Sequence, residues 1–403
     1  MRLKTGSVIA TLVIVVTLVT ACGPAEQPAT LVPVQATPTN IPATLVPIQP
    51  TRTDAPATPV PIQPTPTNAP ATPVPVQPTP TPAAPTVTQP PAPSEWPSAR
   101  KYGAMVYDPL SERVFMFGGV KRLYDAVDIP EVWAYEPATE SWQEQGKLGP
   151  RVVICAAFDE ESQRAIVFGR SDTWAYDPAA DTWEKMKPVA TPSLRWACQM
   201  AYDAESDRIV LFGGGTGAAQ SFDDTWVYDY NTDTWEELQP EVSPPARAYH
   251  GMAYDPGNDR VMLWGGHTLP NESDLRAWAY DYNTNTWMTQ EAPSDAPEQR
   301  NGLGLFYHSP SGRMIVYGGL TENDGQLVEG DTWAYDYRAN SWQALTPSQS
   351  PGKRAHFLMS YAPSIDKAIL FGGELVSKAA DEISDETWVF DPTTNEWQSV
   401  MRP

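Results

Sequence analysis

Four histidines, three cysteines and a recurrent arginine are the residues in this 403-residue chain with the clearest chemical potential. His250, His267, His308 and His356 are scattered, and no Ser-His-Asp order, zinc spacing or phosphate-cradling glycine loop accompanies them. Histidine titrates near neutral pH, so His250 beside Arg247, or His356 beside Arg354, could move a proton. The competing role is a satisfied structural histidine. The segments 229–233 and 281–285 begin like a calcium loop, but the glycine and the distant glutamate are missing. Tight turns account for the same residues, so neither a metal nor a cofactor is expected.

The arginine belongs to a repeat. It is followed seven residues later by an aromatic residue in Arg100/Tyr107, Arg151/Phe158, Arg195/Tyr202, Arg247/Tyr254, Arg300/Tyr307 and Arg354/Tyr361. A short turn and an apolar run follow, and the run ends in paired glycines, except after Ala165–Gly169, where Arg170 takes the second place. Twelve of the fifteen tryptophans then form six pairs nine residues apart, from Trp133/Trp142 to Trp388/Trp397. Asn, Asp and Thr between each pair favour a tight turn, which makes each pair a β-hairpin. Each unit therefore reads as four short strands. An acid precedes the first tryptophan in five units (Glu131, Asp172, Asp224, Asp331 and Glu386), while the fourth has Arg276. A repeated Arg–carboxylate brace is the simple reading; a ring of guanidinium groups facing a ligand is the alternative.

Units of about 40–55 residues with four strands and a Gly-Gly signature resemble the kelch repeat. That resemblance implies an all-β fold, a six-bladed propeller with four antiparallel strands per blade. The first copy starts with its own first strand and the last ends with its own fourth. Blades one and six are thus expected to join by face packing, with 94–98 as a possible addition. The alternating strands gather the arginines, the glycines and the loops between second and third strands on one rim. Loops on a rigid scaffold are where binding usually resides. The rim candidates are Arg100, Tyr102, Arg151, Arg195, Trp196, Arg247, Tyr249, His250, His267, Arg300, Asn301, Arg354 and His356. Trp96 and Trp196 break the repeat and are read as surface candidates. The resemblance leaves two functions open: a binding module for a protein or glycan, or a carbohydrate-active enzyme of mutarotase or galactose-oxidase type. Galactose oxidase requires two Tyr and two His on copper, with one Tyr joined to a Cys, and no segment matches that set.

Before the repeat, Arg2 and Lys4 precede an apolar run from Val8 to Val19, too short for a comfortable span and typical of an export signal. It ends in Val19-Thr20-Ala21-Cys22, which resembles the bacterial lipobox. The resemblance implies a lipid on Cys22 and an exported protein held on the outer face of a bacterial membrane. Residues 23–94 read as a disordered Pro/Thr-rich linker, with 22 prolines between Pro24 and Ser94 and near copies of a 14-residue unit. The domains are accordingly 1–22, 23–94 and 95–403. Of 27 basic and 49 acidic residues, all but three and two lie beyond the linker, leaving 24 basic and 47 acidic residues there, so the repeat region carries a net charge of −23 within the chain's −22. Such acidity disfavours nucleic acid. Membrane contact is expected through Cys22 alone, and the chain is expected to be a monomer. Cys155 and Cys198 point to opposite faces of neighbouring blades; a disulfide and two free thiols are both open.

Overall fold

The computed structural model describes residues 96–121, 129–146, 148–217, 220–268, 273–321, 327–375 and 382–402. Cys22, the leader and the 23–94 linker lie outside them, as do parts of five rim loops.

Among the described residues there are six four-stranded antiparallel sheets. The first holds Lys101–Asp108, Arg113–Val120, Val132–Glu136 and Ser141–Glu144; the second begins at Cys155–Asp159, the third at Gln199–Asp203. The remaining three begin at Gly251–Asp255, Gly304–His308 and Leu358–Ala362. First strands of successive sheets lie against one another, and that of sheet six lies against that of sheet one, so the circle closes.

Apolar second strands explain why the sheets must stack. Val114, Phe115 and Met116 are fully buried, although neighbouring side chains point to opposite faces. Val114 and Met116 pack with Ile369 and Phe371 of sheet six, while Phe115 and Phe117 pack with Ala165 and Val167 of sheet two. A single sheet would leave one of these faces wet.

Sheets one and six each keep all four of their own strands. Their junction is a face contact, clamped where the Trp142 indole donates to Thr387 Oγ1 at 2.8 Å. Trp96 is not a surface residue: it is buried in this junction and donates to the Asp385 carbonyl at 2.8 Å. A disulfide joins Cys155 to Cys198, 43 residues apart, with Cα atoms separated by 6.1 Å.

The Trp142–Thr387 latch recurs as Trp235–Thr173 (2.8 Å), Trp287–Thr225 (2.9 Å) and Trp397–Thr332 (3.0 Å). The two other junctions have Val132 and Ala277 where the threonine stands, and the buried Trp183 and Trp342 indole nitrogens have no partner among the described residues. A buried hydrogen bond contributes about 1 kcal/mol net. Val132→Thr is near-isosteric and should raise stability by about that amount. Chemical denaturation checks it; an unchanged or lower midpoint contradicts the latch.

Candidate binding mouth

The repeated arginine is chiefly a brace. Arg100, Arg195, Arg247, Arg300 and Arg354 are buried, each donating Nη1 to the carbonyl of the first glycine of its pair (Gly118, Gly213, Gly265, Gly318 and Gly372) at 2.9–3.4 Å. Arg195 also forms a two-pronged pair with Asp224 at 2.6 and 2.7 Å, Arg300 meets Asp331 at 2.5 Å, and Arg354 meets Glu386 at 2.7 Å. A guanidinium committed in this way cannot also face a ligand. These five rim candidates are therefore corrected to scaffold.

Three sheets depart from the expected Arg–carboxylate brace. In sheet one Arg100 bonds Ser98 and Gly118, with no ion pair to Glu131 among the described residues. In sheet four Asp274, not Arg276, faces Arg247 at 2.5 Å, and its other oxygen takes Arg276 Nε at 2.6 Å. In sheet two Asp172 pairs with Lys185 at 3.0 Å, and Arg151 is exposed. The brace is absent there, and so is the second glycine, whose place Arg170 takes.

Two residues beyond each buried arginine the backbone turns left-handed: Tyr102 (φ 59°), Ala197 (55°), Tyr249 (59°), Gly302 (63°) and His356 (53°). This conformation is uncommon for non-glycine residues and costs of order 1 kcal/mol or more. Backbone hydrogen bonds between sheets maintain it. The Tyr102 amide donates to the His356 carbonyl (3.1 Å), His356 to Gly302 (2.8 Å), Gly302 to Tyr249 (2.9 Å) and Tyr249 to Ala197 (2.9 Å). The resulting circlet links five sheets and stops at sheet two.

Inside the circlet three rings meet. The Tyr102 and His356 centroids are 4.5 Å apart, Tyr249 and His356 5.1 Å, and Tyr102 and Tyr249 5.9 Å. His356 Nδ1 contacts Glu374 Oε1 at 2.6 Å, and the buried Lys101 ammonium contacts the other oxygen. Burial alone would raise the Glu374 pKa, but the hydrogen bonds and charges of His356 and Lys101 hold it at about 2. Burial, and then the Glu374 charge, pushes the Tyr249 phenol up.

Because the folded pKa of Glu374 lies below its ordinary value of 4.5, its contribution to stability is present above pH 4.5 and lost as pH falls towards 2. Glu374→Gln should flatten the acid-unfolding curve in that window, read by tryptophan fluorescence. An unchanged acid limb contradicts the assignment.

Beside the rings lies a cavity of about 320 Å³, lined by Tyr102, Tyr249, His356, Trp196, Arg151 and neighbours including Val152–Ile154, Leu303 and Phe357. Its wall is uneven. The connection between second and third strands carries short ribbons in sheets three, five and six, such as Glu374–Leu375 with Glu382–Ile383. In sheet two only Arg170 and Ser171 lie between those strands. The mouth is lowest there, between Arg151 and Trp196, and the Arg170 guanidinium lies 4.8 Å from the Trp196 ring centre.

Of the thirteen rim candidates, Tyr102, Arg151, Trp196, Tyr249 and His356 line this cavity. His250 does not. It is fully buried against Phe212, and burial, with Arg247 next, lowers its pKa well below the usual value, so it stays neutral. His267 and Asn301 sit in the short ribbons of sheets four and five and do not line the cavity. Glu374 and Arg170 were not singled out in the sequence; the replaced glycine was the available signal for Arg170.

The family model for the Attractin/LZTR1 beta-propeller matches residues 163–356. Kelch domain-containing protein 10 of Homo sapiens is 25% identical over 288 residues, which are 63% of this chain and 62% of that protein. The chain carries a kelch-type β-propeller. Mei4-dependent protein 6 of Schizosaccharomyces pombe aligns at 25% identity over 45% of the chain and 28% of its own length. The N-(sulfonatooxy)prop-2-enimidothioate sulfolyase of Thlaspi arvense aligns at 30% identity over 32% of the chain and 36% of its own length. The chain thus spans less than two thirds of each of these relatives. On the opposite rim of the propeller, Asp159, Glu161 and Asp207 bring carboxylate oxygens within 4.8 Å of one another. The Asn231 amide already donates to Glu161 and Asp207 there.

Proposed function

We propose that this protein is a binding module: an exported propeller, held on a membrane by lipid on Cys22 and carried on the 23–94 linker, that captures a protein partner with its arginine end. The observation carrying this reading is the asymmetry of that end, where unequal loops surround a rigid aromatic patch built on strained backbone. A kelch-type propeller is suited to protein binding, and rigid aromatic rings supply contact area at low entropic cost.

Capture assays with the intact chain test it, run against extracellular protein fractions and a glycan array. Trp196→Ser with Tyr249→Ser at the arginine end should abolish capture, while Asn231→Ser at the opposite end should leave it intact. The reverse pattern contradicts the reading, and capture of glycans alone transfers it to that class. For the anchor, Cys22→Ser should lose both lipid labelling and the membrane fraction; retention of either contradicts it.

A second reading, catalysis on a carbohydrate or another small substrate, is favoured by the close His356–Glu374 contact at the cavity wall. It predicts turnover that His356→Gln removes.

A further inference from the structure

We propose that the cavity on the low side of the mouth binds a small organic anion, an apolar or aromatic body bearing one carboxylate or sulfonate, and that Arg151 holds the charged group. This deepens the reading of the arginine end as the working face, and rests on it.

Arg151 is the exception among six equivalent residues. The other five are buried and committed to glycine carbonyls. Arg151 is exposed, lines the cavity, and has no hydrogen bond or ion pair among the described residues. Structure therefore makes no demand on its charge. A guanidinium fork matches planar oxyanions in two-pronged geometry.

The surroundings favour an anion with an apolar body. Among the described residues lining the cavity there is one arginine and no carboxylate, although the chain has a net charge of −22. Val152, Val153, Ile154, Leu303 and Phe357 provide an apolar wall. The volume, about 320 Å³, falls in the range of small-molecule sites. Charges beyond roughly 8 Å are largely screened at physiological salt, so nearby groups decide the local preference. Among the described residues, Arg151 lines the cavity at the low wall, and Arg170 lies behind it against Trp196.

A cationic ligand fits poorly. Tyr102, Tyr249 and His356 pack against one another in tilted and edge-on contacts, and the Lys101 ammonium already lies 5.1 Å from the Tyr102 ring centre. Among the described residues these rings leave no open aromatic cage for a second cation.

The test is a calorimetric titration of the intact protein with naphthalene-2-carboxylate, naphthalene-2-sulfonate and the neutral naphthalene-2-carboxamide. Both anions should bind at least about ten-fold more tightly than the carboxamide, equivalent to about 1.4 kcal/mol. Arg151→Met should erase the difference and Arg151→Lys should retain part of it, with a melting curve showing that each variant is folded. Equal binding of all three compounds, no binding of any, or an undiminished preference in Arg151→Met overturns the proposal. Partner capture measured on the same samples separates the two readings. Lost anion preference with intact capture sinks this site alone, and retained anion binding with capture moved to the other rim sinks the docking face alone.

Discussion

Asp274→Ala is expected to destabilise the propeller by about 3–5 kcal/mol, the range for stripping the partner from a buried charge. Arg247 is completely buried, and Asp274 faces it at 2.5 Å. The same carboxylate takes Arg276 Nε at 2.6 Å and the Trp278 indole at 2.9 Å. Burial opposes its ionisation, but the Arg276 and Arg247 contacts outweigh that and lower its pKa. Arg276 is about one-third exposed and can turn to water; Arg247 cannot. Glu386 offers an internal control, because it is 52% exposed where it meets Arg354. Water can reach the Arg354 end once Glu386 is truncated, so Glu386→Ala should cost clearly less. Urea denaturation of the two variants measures the contrast, and equal losses contradict the ranking by burial.

Replacing Cys155 and Cys198 together by alanine should cost about 2–4 kcal/mol. The disulfide closes a separation of 43 residues and joins two adjacent sheets through residues that are 3% and 0% exposed. Reductant should bring the wild-type protein to a similar stability and leave the variant unmoved. A loss below about 1 kcal/mol, or a variant still sensitive to reductant, contradicts a structural role for the bridge.

The scaffold was legible in the sequence because each sheet repeats the same physical solution. Tryptophans nine residues apart, glycine pairs and apolar runs marked the strands. Identical spacing also implied that each unit contributes all four of its own strands, which is how sheets one and six are built. The same regularity misled in places. Arg151 looks equivalent to Arg195 in one dimension, yet one is exposed and the other braced. Arg276 looked like a missing acid, although Asp274, two residues earlier, reaches the same guanidinium. Trp96 looked superficial because nothing in the chain indicates that the Asp385 carbonyl lies across the junction.

The mouth was only partly legible. Tyr102, Tyr249 and His356 stood out as residues the repeat does not require. Their convergence depends on backbone bonds between sheets, with no local sequence signal. Glu374 is 273 residues from Lys101, and only closure of the circle brings the two together.

The repeated arginines divide their labour: five hold the scaffold, while Arg151 makes no hydrogen bond or ion pair among the described residues. Thermal unfolding of Arg195→Met beside Arg151→Met tests this directly. Arg195→Met should melt several degrees lower, because it strands Asp224 and the Gly213 carbonyl, while Arg151→Met should stay within about 0.5 kcal/mol of wild type. Equal losses in the two variants would contradict the division.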